Sequence, residues 1–116
     1  MIKISSASAH FGHVLENALS EAFPQELVTV INGGGAISDA FSHLPFDKII
    51  FTGSTSVGKT VMAAAAENLV PVILELGGKS PAIIHPSMDM KDAAQRLAVG
   101  KLWNAGQTCV APDYLF

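Results

Sequence analysis

Lys48-Ile49-Ile50-Phe51-Thr52-Gly53-Ser54-Thr55-Ser56-Val57-Gly58-Lys59 runs from an apolar stretch through a glycine loop into helical sequence. Residues 48–52 read as a strand with little polar alternation, and residues 56–68 as a helix. Between them the chain must turn sharply, and glycine allows a close backbone approach. N–H groups exposed at the helix start, together with the positive end of the helix dipole, suit a phosphate. The loop is therefore expected to bind a phosphate-bearing cofactor.

The same alternation extends in both directions. Residues 27–31, 70–74 and 81–84 read as further strands, residues 1–5 as another, and residues 114–116 as the opening of one more. Helices are expected over residues 10–23, 36–43, 56–68 and 90–105, with Pro24 closing the first and Pro45 following the second. Strands apolar on both sides suggest burial on both faces. Strand and helix in alternation predict an α/β fold, a Rossmann-like parallel sheet with helices on both faces.

Composition bounds the rest. The 116 residues are 49% apolar even before the 10 glycines are counted, and only 15% charged. Soluble domains average about 25% charged residues. Too few charges remain to cover a free-standing surface, so some apolar faces are expected to serve other segments or a partner chain. The net charge of -3, without a Lys/Arg cluster, argues against nucleic acid and anionic membranes as partners. Apolar stretches are too short to span a bilayer, and a single cysteine fits a reducing, cytoplasmic setting. The 4 histidines have no acidic or sulfur ligand at useful spacing, so no metal is expected.

Two further blocks carry chemistry. Leu74-Glu75-Leu76-Gly77-Gly78-Lys79-Ser80-Pro81 places a carboxylate at the end of an apolar strand, a setting rare for an unpartnered acid and suited to a general base. Gly106-Gln107-Thr108-Cys109 places the one cysteine after a helix, in a tight loop. The helix carboxyl end would oppose a thiolate there, so activation must come from another source. A non-catalytic reading, with an inert cysteine and a glutamate turned to water, remains open from these residues. So does a third: residues 53–60 also match Gly-x-x-x-x-Gly-Lys-Thr, in which Lys59 would reach the β/γ-phosphates and Thr60 would hold magnesium. Against that nucleotide-hydrolase reading, no other strand ends in an aspartate placed for the metal.

In order, spacing and wording the three blocks, with Ala111-Pro112-Asp113-Tyr114 after the last, resemble the aldehyde dehydrogenase superfamily. The similarity is strongest to its class 3 and coniferyl-aldehyde branch and covers nearly the whole chain. The resemblance implies NAD(P)-dependent oxidation of an aldehyde to an acid. Cys109 would be the nucleophile, passing through a thiohemiacetal and a thioester, and Glu75 the general base. It implies cofactor contacts from Gly53, Ser54, Thr55, Ser56, Val57, Gly58 and Leu76. Lys3 would meet the adenosine ribose. Where most members read Lys-Pro-Ser-Glu this chain has Lys3-Ile4-Ser5-Ser6, so Ser6 stands where an acid would bind the ribose 2′-hydroxyl, which leaves NAD against NADP open. Gly33-Gly34-Gly35 is a flexible turn that could approach the adenine.

An asparagine from a segment before Met1 would assist the Cys109 N–H at the oxyanion; Asn104 does not match that position. Family members are several times longer, so the chain is expected to be a middle slice, inactive alone. Residues 1–105 would belong to the NAD(P)-binding domain and residues 106–116 would open the catalytic segment. The whole protein would be a homodimer or homotetramer acting on a small-molecule aldehyde.

Overall fold

The computed structural model describes residues 1–116, which divide into two compact units: Met1–Ile50 with Lys59–Ile73, and Phe51–Gly58 with Leu74–Phe116.

In the first unit, strand β1 (Ile2–Lys3) leads through a short 3-10 turn into helix α1 (Ala9–Ala22), and β2 (Val30–Ile31) returns beside β1. The two strands pair in parallel, Ile2 opposite Val30 and Lys3 opposite Ile31. Helix α1 ends where Pro24 stands next, and the Phe23 N–H closes the last turn on the Leu19 carbonyl oxygen at 2.8 Å. Strand β2 is shorter than the sequence suggested. The N–H groups of Leu27 and Val28 both bond the Pro24 carbonyl oxygen, so those residues are held in a turn. Helix α2 (Gly35–Ser42) follows a glycine turn. At its end the His43 ring bonds the Asp39 carbonyl oxygen at 2.9 Å, and that bond, with Glu67 nearby, holds the His43 pKa above its ordinary value.

Strand β3 (Ile49–Gly53), helix α3 (Thr55–Glu67) and β4 (Val72–Leu76) supply residues to both units, and β3 and β4 are hydrogen-bonded neighbours. Within the first unit the Ile49 N–H bonds the Pro71 carbonyl oxygen at 3.0 Å. Val61, Ala64 and Ala65 are buried and, at i, i+3 and i+4, occupy one helix face; Val30, Ile49 and Val70 are the unit's other buried apolar residues. Helix α3 stops in a paired cap. Val70 N–H reaches Ala65 O at 3.0 Å and Leu69 N–H reaches Ala66 O at 3.1 Å, which forces Leu69 to φ 55°.

In the second unit, β5 (Ser80–Ala82), helix α4 (Met90–Leu102) and β6 (Pro112–Leu115) form another strand-helix-strand crossover. Strands β5 and β6 are parallel, with Ser80 opposite Pro112 and Ala82 opposite Leu115, and an irregularity between Ser80 and Pro81. Asp89 caps α4 by accepting the Asp92 N–H at 2.9 Å. The expected helix over residues 90–105 ends early, at Leu102. Asn104 and Ala105 adopt left-handed angles, φ 49° and 56°, which an α-helix cannot continue.

The chain is thus a parallel, Rossmann-like α/β fold, as its alternation suggested, although the ladders form three two-stranded pairs. Burial of both strand faces is not found: β4 alternates half-buried and exposed residues along its length. Apolar side chains stay open instead, among them Leu69 at 91%, Ile83 at 80% and Val110 at 76% exposure. No helix is long and apolar enough to cross a membrane.

Candidate active site

The glycine loop joins β3 to α3 within the second unit. Ser54 caps the helix: its Oγ accepts the Val57 N–H at 3.3 Å, its carbonyl oxygen accepts the Gly58 N–H at 2.9 Å, and its hydroxyl lies 3.0 Å from that of Ser56. Gly53, Ser54, Thr55, Ser56 and Val57 are all exposed, and Gly58 alone is buried. A β-carbon on Gly58 would stand 2.8 Å from Leu76 Cδ2, so glycine is what lets this helix start lie against the end of β4. No acidic side chain occupies the first turn of α3. An open helix amino end without a negative charge fits a phosphate or pyrophosphate.

Glu75 lies one residue before Leu76 on β4. The leucines that flank it in sequence do not bury it. Successive strand side chains point to opposite faces, so Leu74 and Leu76 share the half-buried face while Glu75 is exposed on the other. The carboxylate is therefore open to water.

The cysteine turn is built by a short sequence of constraints. After α4, Asn104, Ala105 and Gly106 all take positive φ. Asn104 and Gln107 then hold each other. The Asn104 amide donates to the Gln107 carbonyl oxygen at 3.2 Å, while the Gln107 N–H and side-chain amide reach the Asn104 carbonyl oxygen at 3.1 and 3.3 Å. Left-handed angles at non-glycine residues are strained, and such strain gathers at functional sites. The next turn, residues 108–111, closes with the Ala111 N–H on the Thr108 carbonyl oxygen at 3.1 Å and presents Cys109, an exposed free thiol. Buried Ala111 anchors its far side.

Two contacts tie this turn to the segment after Glu75. The Ser80 hydroxyl donates to the Cys109 carbonyl oxygen at 3.3 Å, and the Lys79 ammonium lies 3.1 Å from Asp113 Oδ2. Neither Ser80 nor Asp113 was singled out from sequence. Their signal was present, since each lies within a quoted block.

Glu75, Leu76, Cys109 and the residues 53–58 all belong to one compact unit, Phe51–Gly58 with Leu74–Phe116. Lys3 and Ser6 belong to the other. Lys3, at the carboxyl end of β1, donates its ammonium to the carbonyl oxygens of Gly33 at 3.0 Å and of Ile4. It thereby holds the glycine turn, where Gly33 has φ 149° and a β-carbon would stand 2.8 Å from Ile37 Cβ. Ser6 is exposed and begins the 3-10 turn that follows. No cluster of three or more His, Cys, Asp or Glu is shaped to hold a metal ion.

Residues 1–116 match the aldehyde dehydrogenase family throughout. Over 115 residues the chain is 59% identical to a probable coniferyl aldehyde dehydrogenase of Pseudomonas aeruginosa, covering 99% of this chain and 24% of that protein. It is 46% identical over 115 residues to a dimeric, NADP-preferring aldehyde dehydrogenase of Rattus norvegicus, covering 99% of this chain and 25% of that one. Among solved structures, the substrate-bound state of a Staphylococcus aureus aldehyde dehydrogenase superimposes with a TM-score of 0.92 at 47% identity, over 99% of this chain and 25% of the other. The chain thus spans about a quarter of the length of these relatives.

Proposed function

The chain belongs to the aldehyde dehydrogenase family, and from that membership we propose that the whole protein oxidises an aldehyde to a carboxylic acid with NAD or NADP as electron acceptor. The observation that supports this most is that one compact unit contains the capped glycine loop, Glu75 and Cys109. In this reading residues 1–105 belong to the NAD(P)-binding domain and residues 106–116 open the catalytic segment.

Residues 53–58 and Leu76 would hold the cofactor pyrophosphate and its surroundings, and Lys3 and Ser6 the adenosine ribose. When bound, NAD(P) supplies the acceptor for a hydride. The chain's own residues do the rest. Cys109 Sγ, as thiolate, adds to the aldehyde carbon, and the carbonyl electron pair moves to oxygen, where the Cys109 backbone N–H can hold it. Loss of hydride from that carbon restores the carbonyl and leaves a thioester. Glu75 takes a proton from a water whose oxygen adds to the thioester carbon. The C–S bond then breaks, the acid leaves, Glu75 gives up its proton to solvent and Cys109 is again a thiolate. An exposed Glu75 suits the last step, because its water must be able to arrive and be replaced.

Membership in this family takes away the reason for reading residues 53–60 as a hydrolase loop. In this reading the whole protein is a cytoplasmic homodimer or homotetramer, in a compartment where a lone thiol stays reduced. The test is direct. Whole protein, incubated with aromatic and aliphatic aldehydes and NAD or NADP, should produce reduced cofactor and the matching acid in equal amounts. Absence of reduced cofactor across the panel, with Cys109 shown to be reduced, would overturn the reading.

A further inference from the structure

Asp113 stands out among the residues for which the proposed chemistry has no use. Its carboxylate is only 32% exposed and lies between two ammonium groups, with Lys79 Nζ at 3.1 Å and Lys101 Nζ at 3.7 Å. Lys79 approaches both oxygens, the second at 3.3 Å. Lys79 lies four residues after Glu75, Lys101 is in the last turn of α4, and Asp113 lies four residues after Cys109. The next residue, Ser80, holds the Cys109 carbonyl oxygen itself. Two consecutive side chains on the glutamate segment therefore hold the cysteine turn, one through its backbone and one through a carboxylate just beyond it.

We propose that Asp113 is a positioning residue, whose carboxylate, held by Lys79 and Lys101, fixes the Cys109 turn against the segment that follows Glu75. This rests on the reaction proposed above. The ion pairs act where the ladder is uneven, since the register shifts between Ser80 and Pro81. Asn104 and Ala105 at positive φ give the turn a strained entry, and the ion pairs oppose its relaxation on the exit side. Because the lysines are substantially exposed, the hold weakens as salt rises.

The test uses Asp113→Asn, Asp113→Glu and Lys79→Met in the whole protein. Hydrogen exchange of a peptide spanning residues 103–112 should quicken in Asp113→Asn by about two- to fivefold, the range supported by exposed to half-exposed ion pairs. Raised salt should produce the same change in the wild type and little more in the variant. In Asp113→Asn kcat should also fall while the KM for NAD(P) holds, and Asp113→Glu should restore both slow exchange and kcat. Lys79→Met, at an exposed site, gives the partial effect even if Asp113→Asn fails to fold. Unchanged exchange in this peptide, or a chain-wide quickening with a lowered Tm and no rescue by glutamate, overturns the proposal. Hydrogen exchange reads the turn whether or not the protein oxidises aldehydes, so failure of the activity assay leaves this test intact.

Discussion

Gly58, in the first turn of α3, lies so close to Leu76 at the end of β4 that an added β-carbon would stand 2.8 Å from Leu76 Cδ2 and 3.3 Å from Cδ1. One close approach thus couples the glycine loop to the strand residue that follows Glu75. Gly58→Val should displace either Leu76 or the helix start. Overpacking of this kind costs about 1 to 3 kcal/mol, and it should appear as weaker NAD(P) binding with Cys109 still reactive to alkylation. Titration of both cofactors by fluorescence checks this; unchanged affinity would mean that the loop does not form the cofactor site.

At the other end of the same helix, Leu69 holds φ 55° with a side chain that is 91% exposed. Little packing is lost on its removal, and glycine adopts that angle without the steric penalty. Leu69→Gly should therefore stabilise the protein by about 0.5 to 1 kcal/mol, read as a higher denaturant midpoint at unchanged m. A lower midpoint would mean that this leucine is covered in the whole protein.

Ser6→Glu should shift cofactor preference towards NAD. A carboxylate can accept the ribose 2′-hydroxyl and repel a 2′-phosphate of up to about two negative charges. The shift should be on the order of 1 to 3 kcal/mol, roughly five- to hundred-fold in relative affinity. Paired NAD and NADP titrations at one ionic strength measure it. An unmoved ratio would show that Ser6 does not face the ribose.

Much of this was legible in the sequence because it rests on local rules. Pro24 marked the end of α1 to within a residue, and the apolar run before Gly53 marked β3. Strand β2 was overread because Leu27 and Val28 look like strand residues, while their N–H groups are committed to the Pro24 carbonyl oxygen in a turn that side-chain pattern does not reveal. Helix α4 was overextended through Asn104, although asparagine is one of the few residues that readily turn left-handed and end helices. At the site, Cys109 and Glu75 could be singled out by type and company, but not the exposure of Glu75, which depends on which strand face is covered. The hold of Ser80 and Lys79 on the cysteine turn joins residues about 30 apart, and no local pattern encodes it.

Cys109→Ala in the whole protein should abolish aldehyde oxidation and leave NAD(P) affinity nearly unchanged, because the proposed nucleophile is lost while the turn is shaped by Asn104, Gln107 and Ser80. Steady-state rates with equilibrium cofactor binding check both halves. Retention of more than about a tenth of the wild-type rate, a loss under roughly 1.4 kcal/mol in transition-state terms, would remove Cys109 from the mechanism.

The division of labour between Cys109 and Glu75 is tested most directly by rapid mixing of Glu75→Gln with aldehyde and NAD(P), followed by quenching and intact-mass analysis. The predicted result is a burst of reduced cofactor equal to the enzyme sites, very slow turnover after it, and an acyl group on Cys109 that hydroxylamine removes. Loss of the burst while Cys109 still alkylates normally, or full turnover with no acyl adduct, would contradict the assignment of Glu75 to thioester hydrolysis.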